Sequence, residues 1–183
     1  MLGPELKGEK ISLAPAREEF LPDFIRWFAD PQINRYLSII CPPSLGQERE
    51  WIEHTARDPN TVHWTMVVDD QPIGVTGIHN IDWLNRGAIT GTAIGVRAEW
   101  GKGYASEAVR LRTEFAFNQL GLERLETFSF AENLGMHKAL QRSGYRRIGT
   151  RRRAMWREGS WHDTALFELL REDWLEGAGT LGR

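Results

Sequence analysis

The chain has 183 residues, 41% of them hydrophobic and 26% charged, with a formal net charge of −2 and a single cysteine, Cys41. That length is one globular domain, able to bury a core without staples, and the balanced charge excludes a dedicated nucleic-acid binder. One cysteine excludes an internal disulfide and a cysteine-based metal cluster, and the five histidines show no metal-ligand spacing, so no metal is expected. The longest charge-free stretch, residues 36–47, holds two prolines and falls short of the ~20 apolar residues of a membrane span. The opening MLGPELKGEK lacks an apolar signal core, so a cytoplasmic protein is expected. Residues 1–100 are net acidic and residues 101–183 net basic, with arginines clustered between Arg142 and Arg157.

No internal repeat or low-complexity linker divides the chain, so residues 1–183 read as a single domain with an ordered core over 6–175 and a short C-terminal tail. Leu6 to Pro15 reads as a first strand. Glu18 to Ala29 is helical, with Pro22 tolerated in its first turn. Asp30-Pro31 is an N-cap and first-turn proline for a short helix through Leu37. Ser44 with Gln47 fits a capping box opening a helix to Arg57. His63–Asp69 and Ile73–Asn80 flank a turn signal and form a hairpin, and Ala88–Val96 is a third strand. Tyr104–Leu120 then shows an amphipathic helical period with Gly121 as its stop. Arg124–Phe130 is a strand, Asn133–Ser143 a helix ending at Gly144, and Tyr145–Met155 with Trp161–Leu170 a last hairpin. The fold class is α+β with a mostly antiparallel mixed sheet flanked by helices. The eight tryptophans are expected mostly in the core.

Chemistry concentrates where the strand ending at Val96 meets the helix starting at Tyr104. A glycine-bearing loop before a helix N-terminus offers free N–H groups and the positive end of the macrodipole, which suits phosphates. A P-loop does not fit, because Gly95 stands one residue too far away and Gly103 replaces the Ser/Thr that would hold Mg²⁺. The dinucleotide fingerprint is matched in part, with Ser106 at its third glycine, but the preceding strands are hairpin-connected rather than βαβ.

The run V-R-A-E-W-G-K-G-Y-A-S-E-A, Val96 to Ala108, resembles the acyl-CoA pyrophosphate loop of the GNAT N-acetyltransferases, and is especially similar to their RimJ/RimL-like, ribosomal-protein N-acetyltransferase branch. The resemblance extends over nearly the whole chain, through Leu6–Leu13, Asp30-Pro31, the glycine-rich strand Gly91–Val96, Asn133 with Gly144-Tyr145, and Gly159 through Trp174. It implies a GNAT fold, splayed at an acetyl-CoA site, with acetyl-CoA as co-substrate. It also implies cofactor-binding roles for Ile94 and Val96 as a sheet edge along the pantetheine, for Gly101, Lys102, Gly103, Tyr104, Ala105 and Ser106 around the pyrophosphate, and for Asn133 on the pantetheine arm. The implied reaction is direct attack of an amine on the thioester, with a backbone N–H near Ile94 to Val96 polarising the carbonyl. Cys41 is then not a nucleophile and is expected to be buried.

The chain departs from the family pattern. Ala98 stands where relatives carry Gln/Arg, Met136 where Ser is common, Leu140 where many have a tyrosine that serves as general acid, and Ile89, Thr90 and Thr92 where a carboxylate base is common. His137 is the candidate for protonating the thiolate; His79 and Asp82, near the end of their strand, are the candidates for the base. An α-amine, with a pKa of ~8, needs less help than a lysine-like amine at ~10.4. The leading acceptor is therefore a peptide or protein N-terminal amine. A small cationic amine such as a polyamine or aminoglycoside is the alternative, and a non-catalytic CoA-binding module stands outside the enzyme class. A homodimer is left open.

Overall fold

The computed structural model describes residues 1–181. Its strands are β1 (Leu6–Lys7), β2 (Ser12–Ala14), β3 (Val62–Val68), β4 (Gln71–Asp82), β5 (Gly87–Ile94), β6 (Arg124–Phe130), β7 (Arg146–Arg157) and β8 (Ser160–Leu170). The helices are α1 (Leu21–Ala29), α2 (Pro31–Asn34), α3 (Leu45–Arg57), α4 (Tyr104–Asn118), α5 (Leu134–Arg142) and α6 (Arg171–Leu181). The eight strands form one sheet in the order β1-β2-β3-β4-β5-β6-β8-β7. Of the seven neighbouring pairs among the described residues a single one is parallel, β5 with β6, which the crossover through α4 makes possible.

Local chemistry sets the helix starts. Asp30 accepts the Gln32 N–H at 2.8 Å ahead of Pro31, and Ser44 and Gln47 form a complete capping box. The alternation of strand side chains sends Trp64, Met66 and Ile78 to one face, where α4 adds Ala108, Val109 and Ala116 to the main core. The other face takes a second cluster from α1 and α2, with Phe24, Trp27 and Phe28 against Trp51, Val67 and Val75. Fully burying one such aromatic or aliphatic side chain stabilises the fold by about 1.5–3 kcal/mol.

Several expectations change. The strand expected over Leu6–Pro15 is a short hairpin, because Gly8 N–H turns back onto Ile11 C=O at 2.8 Å. The last helix runs through residue 175, where the sequence suggests a tail. Cys41 is exposed, in the segment after α2, rather than buried. Of the eight tryptophans, Trp83, Trp100, Trp156 and Trp161 are exposed, so the tryptophans are not mostly core. No helix among the described residues is long and apolar enough to cross a membrane.

Candidate active site

β5 and β6 pair only from Gly87↔Arg124 to Ile89↔Glu126 and then part. The vertex is fastened by Thr127 Oγ1 donating to Thr90 C=O at 2.8 Å and Thr90 Oγ1 donating to Glu126 C=O at 3.2 Å. Since Thr90 turns its carbonyl toward β6, strand alternation directs the backbone of Thr92 and Ile94 to the same open side. Beyond Ile89 no strand among the described residues occupies it, so this edge can accept an extended amide chain. The Trp100 indole N–H donates to Ile94 C=O at 3.1 Å. Val96 is less available: its N–H bonds Ile73 C=O at 3.2 Å and its C=O accepts Glu99 N–H at 3.0 Å.

The mouth of the wedge is the start of α4. Gly103 is the N-cap residue, with φ +91°, and no side chain caps the helix. Gly101 also has a positive φ, +78°, with nothing within 4 Å of where a Cβ would stand. Both conformations favour glycine and leave the first N–H groups of α4, from Tyr104 through Ser106, uncovered for an anion. Lys102 is turned aside onto Glu99 at 2.8 Å, which raises its pKa. Lys10 takes the place above the loop. Its Nζ lies 3.6 Å from a Cβ built on Gly103, and among the described residues it has no acidic partner. Lys10 was not legible as a site residue, because it arrives from the distant β1–β2 turn. Glu107 anchors that turn by accepting the backbone N–H groups of Glu9 and Lys10.

Across the wedge, Asn133 caps α5, its Oδ1 accepting the Met136 N–H at 3.2 Å. The side-chain NH₂ remains to donate to a ligand. His137, one turn on, places Nε2 3.1 Å from Phe130 C=O, so that nitrogen carries the proton; burial lowers its pKa and the carbonyl opposes the shift.

On the opposite face of β4 and β5, His79 lies across two glycines. A Cβ on Gly77 would come within 2.7 Å of His79 Nε2, and one on Gly91 within 3.8 Å. The room for the ring is therefore made by missing side chains. His79 is half-buried, and burial first, then the positive charge of Arg112, depresses its pKa, with Asp58 opposing; the imidazole is unprotonated at neutral pH. Behind it His63 is buried, its ring 6.2 Å from that of His79 and edge-on to Trp51 at 4.5 Å. Asp82 lies at the end of β4. It is exposed and spent on the β4–β5 turn, accepting Leu84 N–H, Asn85 N–H and Asn85 Nδ2 at 2.7–3.0 Å, and these bonds lower its pKa.

Residues 10–146 match the family model described as the acetyltransferase (GNAT) domain. The "Probable N-acetyltransferase YjcK" of Bacillus subtilis is 34% identical over 185 residues, covering 92% of this chain and 98% of that protein. A crystal structure of spermidine N-acetyltransferase from Vibrio cholerae with CoA and spermine superposes with a TM-score of 0.85 at 16% identity, covering 92% of this chain and 99% of that one. Mycobacterium smegmatis RimJ in complex with CoA-disulfide gives 0.80 at 20% identity, covering 92% and 89%.

Proposed function

The chain belongs to the GNAT acetyltransferase family and is an acetyl-CoA-dependent N-acetyltransferase, and we propose that its acceptor is the N-terminal α-amine of a peptide or protein. Acetyl-CoA supplies an activated acetyl thioester. In this reading the N–H groups from Gly101 to Ala105, with Ser106, Lys102 and Lys10, hold its pyrophosphate. Ile94 offers the open strand edge, and Asn133 donates to the pantetheine from across the wedge. Val96, already bonded on both sides, contributes the bend that aims Ile94.

The observation that carries the acceptor assignment is the unprotonated His79 imidazole laid over Gly77 and Gly91. His79 accepts the proton of the incoming ammonium. The freed lone pair then forms the C–N bond as the C–S bond breaks; the sulfur leaves as the CoA thiolate and takes up the second nitrogen proton as free thiol, while Ile94 N–H donates to the oxygen on which charge develops. A base with a depressed pKa can deprotonate an α-amine at ~8 far more readily than a lysine-like or polyamine nitrogen at ~10.4. Asp82 fixes the turn that ends β4, and His137 orders the wall beside Asn133.

The test is thiol release from acetyl-CoA by the purified protein against short peptides, polyamines and aminoglycosides. Release with peptides that is lost when their N-termini are blocked supports the assignment. Release with polyamines or aminoglycosides alone assigns the smaller cationic class. CoA binding with no release across the panel is the behaviour of a non-catalytic module.

A further inference from the structure

Arg112 is only 1% exposed, yet among the described residues no carboxylate pairs with it. It lies on the buried face of α4, and its Nη1 reaches three oxygens of the two central strands: Thr76 Oγ1 at 2.9 Å, Gly91 C=O at 2.8 Å and Thr92 Oγ1 at 2.8 Å. Among the described residues Nη2 has only the Tyr145 hydroxyl at 3.5 Å, and the buried Nε has no partner. A core guanidinium held by neutral oxygens alone keeps its full charge and its desolvation cost. Such a group is expensive to retain for packing, since an apolar side chain would fill the same space at lower cost.

Its position gives that charge a use. Thr76 and Thr92 face each other across β4 and β5 on the core side, and Gly77 and Gly91, the next pair, face the other side. Arg112 therefore grips Gly91 from beneath the sheet, while the His79 ring rests on Gly91 from above. We propose that Arg112 is a positioning residue of the reaction, holding β5 by the Gly91 carbonyl and setting a fixed positive charge beneath the His79 imidazole. This inference deepens the acetyl-transfer reading and rests on His79 as the proton acceptor. The charge opposes a second positive charge on His79, so the ring stays able to take a proton at neutral pH. Three other titratable groups bear on the ring environment. His63 from β3 is itself neutral, Asp58 after α3 pulls in the opposite direction, and the Met1 ammonium acts on His63.

The experiment is an NMR titration of the His79 ring, without turnover, in the wild-type protein, in Arg112→Gln and in Arg112→Lys. Removing the charge in Arg112→Gln moves the His79 titration to higher pH, and the acid limb of kcat/KM moves with it. Arg112→Lys retains the charge, so its His79 titration stays low. A folded Arg112→Gln protein whose His79 titrates where the wild type does overturns the proposal. Should Arg112→Gln not fold, Arg112→Lys decides: an ordinary His79 titration despite the retained ammonium overturns it equally. If the titration moves as expected and the rate profile does not follow, only the electrostatic contact between Arg112 and His79 stands; the base assignment of His79 falls, and the role of Arg112 in the reaction is overturned with it.

Discussion

The Lys10 ammonium lies 3.6 Å from the point where a side chain on Gly103 would begin, which sets a cation from the β1–β2 turn directly over the uncapped start of α4. Lys102, the cation within the loop itself, is instead paired with Glu99. The two lysines therefore carry unequal expectations. Lys10→Ala is expected to weaken CoA binding about tenfold, the ~1.5 kcal/mol of a hydrogen bond to a charged group. Lys102→Ala loses a charge already neutralised by its neighbour and changes affinity less. Isothermal calorimetry at two salt concentrations checks both, because the Lys10 contribution shrinks as salt rises. Unchanged affinity in Lys10→Ala would remove Lys10 from the site.

Gly103→Asp tests the loop itself. A residue with a Cβ pays about 1–2 kcal/mol to hold a left-handed conformation, and the new carboxylate stands where phosphates are expected. Together these should lower CoA affinity by at least ~30-fold while the fold, which loses only the strain at this one position, melts within a few degrees of the wild type. Calorimetry beside a thermal melt separates loss of the site from loss of the protein. Unchanged affinity in a folded variant would move the phosphate site elsewhere.

His63 gives stability its own pH dependence. Burial, aided by the nearby positive potential of His79 and the N-terminus, lowers its pKa to about 3. In the unfolded chain it titrates near 6.5, so between those values the unfolded state binds a proton that the native state does not. Stability from this group is complete above pH 6.5 and is lost progressively as pH falls toward 3. From pH 6.5 to 4.5 the loss is about 2 kcal/mol. Thermal melts over that range should fall more steeply for the wild type than for His63→Asn, which cannot charge. Parallel slopes would show that other groups govern acid unfolding.

What could be read from the sequence follows the range of the interactions involved. Asp30, Ser44 with Gln47, and the glycine stops act within a few residues, and their signatures are visible in one dimension. The loop proposed to hold the pyrophosphate stands out for the same reason: strand, glycines and helix start are consecutive. Lys10 was not, because nothing near it announces that Glu107 will draw its backbone onto α4. Arg112 left a fainter sign. It is spaced by four from Ala108 and Ala116, both buried, so periodicity places it on the apolar face where a charge demands an explanation. The cradle for His79 depends on Gly77 and Gly91 meeting across two strands, and such a pairing exists only once the register is set.

Asn133 is expected to serve two functions through two different atoms, and a pair of substitutions can separate them. Its Oδ1 is committed to the Met136 N–H as the cap of α5, leaving the amide nitrogen as the group to donate into the wedge. Asn133→Ala removes both and should cost about 1 kcal/mol of stability as well as CoA affinity. Asn133→Asp keeps an oxygen for the cap, and its charge suits a helix N-terminus, so stability should stay within ~0.5 kcal/mol. The same change replaces a donor by an acceptor facing the pantetheine, and CoA affinity should fall about tenfold, the ~1.5 kcal/mol of one directed hydrogen bond exchanged for an unmatched acceptor. Urea melts report the cap and calorimetry reports the ligand contact. An Asn133→Asp protein that binds CoA as tightly as the wild type would confine Asn133 to its capping role and leave the pantetheine to the open edge of β5.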